Sequence, residues 1–286
     1  ASEAPAHMAA ALALAARGRG RTWPNPAVGC VIVQDGRVVA RGWTQPGGRP
    51  HAEAEAVARA GAAARGATAY VTLEPCAHHG KTPPCAEALV AAGIARCVVA
   101  TGDPDPRVAG KGIAILRAAG IAVTEGVAEA EARQLNAGFF SRVERGRPLV
   151  TLKLAMTLHG RIATASGESK WITGAAPRPH PHGLPARHAA VMVGGATALA
   201  DDPTLDVRLP GAWGRLPVRV VADGRLRLPL TSVLVATAAR QPTWVLTRAD
   251  ADPVRRQALQ DLGLTLLPVP VHAGEVLDVA QGLAQL

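Results

Sequence analysis

The chain has 286 residues, 48% of them hydrophobic and only 3% aromatic, enough to fill two aliphatic cores and to argue for two domains. The net charge of +9 rests almost wholly on arginine, since only Lys81, Lys111, Lys153 and Lys170 are lysines, and no basic block interleaves with aromatics as a nucleic-acid platform would. Small anionic ligands, or plain compositional bias, are the readings left for that charge. No apolar run approaches the ~18 residues of a membrane span, and the alanine-rich start lacks the charged-then-apolar order of a signal peptide, so a cytoplasmic protein is expected. In such a chain four cysteines point to metal binding or free thiols rather than disulfides.

In chain order, residues 4–18 read as an amphipathic helix ending at Gly18. VGCVIVQ (Val28 to Gln34) and RVVARGW (Arg37 to Trp43) read as a hairpin over Asp35-Gly36, a strong turn pair. His51 to Ala64 reads as a helix and Thr68 to Glu74 as a strand. Helix and strand repeat through Cys85–Ile94, Arg96–Thr101, Gly112–Gly120 and Ile121–Gly126. Helices between strands imply parallel pairs covered on both faces, an α/β architecture. Gly146-Arg147-Pro148 marks a domain boundary, giving domains 1–146 and 147–286, and PLVTLKLAM is expected to open the second half as a strand. That half alternates again through AAVMVGG, RLPVRVVAD, TSVLVATA and PTWVLT, then a helix near Pro253–Leu262, a strand near Leu264–Val269 and a short final helix. APRPHPHGLPAR (Ala176 to Arg187) sits where a helix belongs, yet each interior proline would cost a helix ~3 kcal/mol.

The stretch LEPCAHHGKTPPC, Leu73 to Cys85, packs two cysteines and two histidines into a rigid polar loop with little core to build. A zinc site that activates water needs three protein ligands, an open fourth position and a nearby carboxylate that is not a ligand. His51-Ala52-Glu53 supplies an imidazole and a carboxylate at a helix start. Cys76 follows Pro75 at a strand end, and Cys85 opens the next helix, whose positive end favours a thiolate. The order H-x-E, then P-C…C, is that of zinc nucleobase deaminases, although eight residues here separate cysteines that usually stand two apart. Two alternatives stay open at this point: a structural zinc with His78 or His79 as fourth ligand, and a metal-free core. Cys30 and Cys97 lie in apolar strand runs and read as buried thiols.

PNPAVGCVIV, HAEAEAV, TLEPCAHHGKTPPC and DPDPRVAGKGI, followed by LKLAMTLHGRIATASGESKWITG and GGATALADDPTLDVR, together resemble the riboflavin-biosynthesis bifunctional deaminase–reductases over nearly the whole chain. The resemblance implies a cytidine-deaminase-like α/β/α domain followed by a dihydrofolate-reductase-like α/β domain. It implies zinc-dependent deamination of a phosphoribosylated diaminopyrimidinone, then NADPH-dependent reduction of ribosyl to ribityl. His51, Cys76 and Cys85 match the zinc ligands and Glu53 the proton shuttle. Asn25 matches the residue that holds the pyrimidine, and Lys81 and Asp103 those that hold the ribose phosphate. In the second half Ala155, Trp171, Thr197 and Asp201 match cofactor contacts, and Lys153, Ser169, Leu205 and Arg208 match substrate contacts. Thr44 stands where some relatives carry a substrate-binding histidine, His159 where the family carries aspartate, and Pro185 where it has a substrate-binding arginine. The family runs on past Leu286 with a strand and a glycine-rich turn, so a reductase half incomplete at this end, and a chain that only deaminates, is the first alternative. A tRNA-type deaminase and a non-catalytic zinc scaffold are the others; the long second half speaks against the former and Glu53 against the latter. The implied partner is a phosphoribosylated pyrimidine, with neither nucleic acid nor membrane, and association into a homo-oligomer stays open.

Overall fold

The structure, a computed structural model, describes residues 4–79, 83–168, 187–207, 216–272 and 276–286. Contacts divide the chain into two units, Ala1–Leu149 and Val150–Leu286. The expectations for Ala176 to Pro185 fall outside the described residues.

In the first unit, α1 (Ala4–Ala15) leads into the hairpin β1 (Gly29–Gln34) and β2 (Arg37–Trp43), then α2 (Ala52–Ala60), β3 (Thr68–Val71) and α3 (Cys85–Ala91). Strand β4 (Arg96–Val99), α4 (Lys111–Ala118), β5 (Ala122–Glu125), α5 (Glu129–Leu135) and α6 (Ala137–Arg145) follow. The hairpin turns where the Asp-Gly pair placed it, with Asp35 at φ 50° and Gly36 at φ 71°. The sheet order is β2-β1-β3-β4-β5. β1 runs antiparallel to both β2 and β3, while β3, β4 and β5 are parallel.

Alternation along β1 divides the core. Cys30 and Ile32 face one cluster with Ala52, Ala56, Leu89 and Leu116, from α2, α3 and α4. Val31 and Val33 face another with Met8, Ala11 and Leu14 of α1 and Ala132 of α5. Each Val, Ile, Leu or Met side chain so withdrawn from water contributes ~1.5–3 kcal/mol. With helices on both faces β1 is buried along nearly all its length, as its unbroken apolar run requires.

The second unit contains β6 (Ala190–Gly194), α7 (Gly195–Asp201), β7 (Val218–Ala222), α8 (Val233–Ala236) and β8 (Thr243–Arg248). It continues with α9 (Pro253–Asp261), β9 (Thr265–Val269), a small antiparallel pair β10 (Val271–His272) and β11 (Val276–Leu277), and α10 (Val279–Ala284). Its main sheet is β6-β7-β8-β9, parallel throughout. Val221 and Val245 face one core cluster, Val220 and Leu246 the other.

One expectation is corrected, and one segment of the alternating second half gains its element type. PLVTLKLAM forms no strand: residues 148–156 carry no regular structure and Leu152, Leu154 and Met156 are exposed. An isolated alternating run has no ladder to complete, and no described strand pairs with it. TSVLVATA is a short helix, α8, with Leu234 and Val235 buried. A brief apolar run suits a buried helical turn as well as a strand, so periodicity alone does not decide it. No described helix is long and apolar enough to cross a membrane.

Candidate metal centre and active site

His51 sits at the N-cap of α2, in extended backbone, and Glu53 in the first turn. Their depth is set by Gly42 on β2: a Cβ there would lie 2.2 Å from the Ala52 carbonyl oxygen, so only glycine lets α2 come this close. Cys76 follows β3, and Cys85 is the first residue of α3. The Cys85 backbone N–H donates to the Cys76 sulfur at 3.2 Å, and the Ala86 N–H to the Cys76 carbonyl at 3.2 Å. The helix start thus grips the other cysteine directly.

His51, Cys76 and Cys85 place their ligand atoms within 4.8 Å of one another. His51 Nδ1 lies 3.3 Å from Cys85 Sγ and 3.7 Å from Cys76 Sγ. Tetrahedral zinc, with bonds of ~2.3 Å to sulfur and ~2.0 Å to nitrogen, sets N to S at ~3.5 Å, so this donor set fits that metal. Neither other histidine of the loop joins the group: among the described residues it has three members, and His79 instead pairs with Glu87 at 3.4 Å.

Charges in the cluster are strongly shifted. The Cys85 thiol donating to it, above all, pulls Cys76 down to about 4 against the opposing effect of burial. Cys85 is pushed up, first by that same bond to Cys76 and then by burial. His51 is raised, chiefly through its hydrogen bond with Cys76, while burial opposes the rise. Burial pushes the Glu53 carboxyl up to about 7, with the neighbouring His51 drawing it back. A buried carboxyl near neutrality is the property that proton transfer at neutral pH asks for.

Around this centre stand loops from three other segments. Asn25 precedes β1, half-buried, with its Nδ2 donating to the Gly48 carbonyl at 2.8 Å. Asp103 follows β4, and burial raises its carboxyl to about 6. Lys81 lies outside the described residues. The buried Thr44 hydroxyl accepts from the Val28 N–H at 2.9 Å, so this side chain fastens the entry to β1.

Sequence reasoning passed over Glu74, between β3 and Cys76. Its carboxylate is buried and accepts four backbone N–H groups: Gly112 (3.0 Å) and Ile113 (3.3 Å) at Oε1, Gly110 (3.0 Å) and Asp103 (3.3 Å) at Oε2. It ties the segment carrying Cys76 to the start of α4 and to the loop carrying Asp103. The available signal was an acidic residue inside an otherwise apolar strand run, a placement that demands partners. Cys30 and Cys97 are buried free thiols, as their strand positions indicated.

In the second unit the described residues among those expected at the site lie on separate segments. Lys153 and Ala155 lie on the exposed 148–168 segment, where His159 occupies a turn closed by the Gly160 N–H donating to the Thr157 carbonyl at 2.9 Å. Thr197 and Asp201 are exposed on α7. Leu205, with φ 49°, lies in the loop that follows. Ser169, Trp171 and Arg208 fall outside the described residues. Among the described residues nothing lies within 4 Å of where a Cβ on Gly194 would stand, so at the end of β6 they leave room for a ligand's close approach. The loop after α7 is held by Arg219 of β7, a buried guanidinium missed in the sequence. It donates to the Thr237 hydroxyl (2.7 Å) and to the carbonyls of Gln241 (2.8 Å), Leu234 (3.1 Å) and Thr204 (3.4 Å).

Comparison with known proteins gives a consistent result for both halves. The family described as "Cytidine and deoxycytidylate deaminase zinc-binding region" matches residues 1–101, and that described as "RibD C-terminal domain" matches residues 148–286. The chain is 51% identical to the riboflavin biosynthesis protein RibD of Escherichia coli K12, across 98% of this chain and 77% of that protein. Identity to RibD of Aquifex aeolicus is 45%, across 91% and 72%. The solved structure of Acinetobacter baumannii RibD gives a TM-score of 0.87 at 44% identity, covering 99% of this chain and 76% of that one. A deaminase/reductase from Thermotoga maritima gives 0.84 at 38%, covering 99% and 78%. A cytidine-deaminase-like domain followed by a RibD C-terminal, dihydrofolate-reductase-like domain, matched along nearly its full length, makes this chain a member of the RibD family of riboflavin biosynthesis.

Proposed function

We propose that this chain hydrolytically deaminates a phosphoribosylated diaminopyrimidinone to the corresponding aminouracil and then reduces the ribosyl group to ribityl with NADPH. The observation that carries the reading is a three-ligand centre, His51, Cys76 and Cys85, beside a buried carboxylate, Glu53, that is not one of the ligands. When bound, zinc supplies the Lewis acidity that makes water nucleophilic at neutral pH. Glu53 takes a proton from the attacking water and returns it to the leaving nitrogen: the ring carbon gains oxygen, its bond to nitrogen breaks, and ammonia departs. Asn25 holds the pyrimidine edge, and Lys81 and Asp103 the ribose phosphate. The domain division, 1–146 and 147–286, follows the same split of labour.

For the second step NADPH supplies a hydride. Thr197, in the turn that follows Gly194, and Asp201, at the far end of α7, would hold that cofactor together with Ala155 and Trp171. Lys153, Ser169, Leu205 and Arg208 would hold the substrate. The proposed setting is the cytoplasm. Zinc-loaded protein incubated with the diaminopyrimidinone phosphate should release ammonia, and the product should then drive NADPH oxidation. Absence of ammonia release from a fully zinc-loaded chain would overturn the first assignment, and absence of NADPH oxidation the second.

A further inference from the structure

Asn136 joins α5 to α6 and is 6% exposed. Its Oδ1 accepts from the Ala27 N–H at 2.9 Å and its Nδ2 donates to the Ala27 carbonyl at 2.8 Å. One side-chain amide therefore satisfies both polar groups of a residue 109 positions away. Buried amides and buried backbone must find such partners, and here each supplies the other's. A second grip comes from the next helix: Arg142 of α6, exposed, donates to the Pro24 carbonyl at 3.1 Å.

Pro24 and Ala27 flank Asn25. The Asn25 N–H donates to the Thr22 carbonyl at 2.9 Å, and the Thr22 hydroxyl to the Asn25 carbonyl at 2.9 Å. With Asn25 Nδ2 on Gly48, the backbone N–H, the backbone carbonyl and the side-chain NH2 of Asn25 are all fastened. The outer fastenings come from Asn136, between α5 and α6, and from Arg142 of α6, both beyond residue 101, where the match to the deaminase family ends.

We infer that Asn136 is a positioning residue for the deamination, acting through Ala27 to aim the Asn25 amide at the pyrimidine, with Arg142 as a weaker second hold. The inference rests on the proposed role of Asn25. Displacing a substrate-holding group by ~1 Å can cost up to ~10²-fold, so loss of a buried two-bond clip should be felt in binding. Zinc and Glu53 stand on other segments and should not feel it.

The test is a double-mutant cycle on the full, zinc-loaded chain, with ammonia release as readout. Asn25→Ala and Asn136→Ala should each raise KM for the diaminopyrimidinone phosphate by ~10-fold or more, with kcat changed less than ~3-fold and zinc content unchanged. Because both act through one contact, the double variant should be little worse than Asn25→Ala alone. Arg142→Met, at an exposed site that leaves folding intact, should raise KM by ~2–3-fold and decides the matter if Asn136→Ala does not fold. An unchanged KM in Asn136→Ala, or effects that multiply independently, would overturn the positioning role while leaving Asn25 in place. An unchanged KM in Asn25→Ala would instead remove the pyrimidine assignment, and the inference with it.

Discussion

Replacing Glu74 by glutamine removes one oxygen and one charge from a carboxylate that accepts four backbone N–H bonds. Whichever way the new amide turns, its oxygen keeps two of those donors and its NH2 confronts the other two. A hydrogen bond to a charged group contributes ~1.5–3 kcal/mol, and a buried donor left unpaired costs ~1–3 kcal/mol. Two lost bonds, partly offset by local relaxation, give ~3–5 kcal/mol, a large share of the ~5–15 kcal/mol that holds a protein folded. The effect should be confined to the first unit, since every group held by Glu74 lies in it. Global unfolding of a two-unit chain blends two transitions, so release of zinc to a chromophoric chelator during urea titration is the better readout. The zinc-release midpoint should fall substantially in Glu74→Gln. Because the Asp103 N–H is one of the four donors, KM for the deaminase substrate should rise as well. A variant that holds zinc to within ~1 kcal/mol of the parent would refute the claim that this carboxylate fastens the site.

Three further outcomes are expected. Cys76→Ser or Cys85→Ser should lose zinc while His79→Ala retains it, because His79 spends its imidazole on Glu87; elemental analysis reads both. Glu53→Gln should keep full zinc and lose ~10²–10⁴ of the ammonia-release rate, the range that one positioned proton carrier contributes; near-normal turnover would dismiss it as the shuttle. Gly42→Ala puts a methyl group 2.2 Å from the Ala52 carbonyl, so α2 must back away and carry His51 with it. Its melting temperature and its affinity for zinc should fall together, and a drop in only one of them would separate the close approach from the metal site.

The parts of this molecule that were legible in the sequence are those where one residue type has few other uses. Asp35-Gly36 can turn a hairpin because both positions tolerate φ > 0, and both adopt it. His51, Cys76 and Cys85 stood out because metal chemistry restricts both residue types and order, and the fold brings their donor atoms within 4.8 Å of one another. Alternation failed where packing decides. PLVTLKLAM has the pattern of a strand, yet a strand exists only as a member of a ladder, and the described residues supply none. TSVLVATA carries no periodicity that separates helix from strand, and it forms the covering helix that the parallel pair β7 and β8 needs between them. Asn136 and Arg219 gave no signal, because asparagine and arginine are ordinary surface residues unless their partners are known. Apart from the Thr237 hydroxyl, their partners are backbone groups elsewhere along the chain, and backbone groups leave no mark in a sequence.

The location of the first site follows from sheet topology. β3 and β4 run parallel, so their C-terminal ends lie on one edge, which leads to Cys76 after β3 and Asp103 after β4. β1 is antiparallel to β3, with Cys30 opposite Val71, so its beginning shares that edge and brings Asn25. β2 is antiparallel to β1, with Trp43 opposite Gly29, so its end shares it too and leads through Thr44 to His51. Helices α2 and α3 start at this edge, with His51 at the cap of one and Cys85 as the first residue of the other. Crevices at the carboxyl ends of parallel strands are where open α/β sheets bind ligands, because helix starts present unpaired N–H groups and partial positive charge there. At α3 and α4 such N–H groups are already committed: the Cys85 amide to the Cys76 sulfur, and the Gly112 and Ile113 amides to Glu74. The positive helix ends are spent on fixing a thiolate and a carboxylate, which makes the edge rigid rather than adhesive. Recognition of the anionic end of the substrate then falls to side chains, the role proposed for Lys81 together with Asp103.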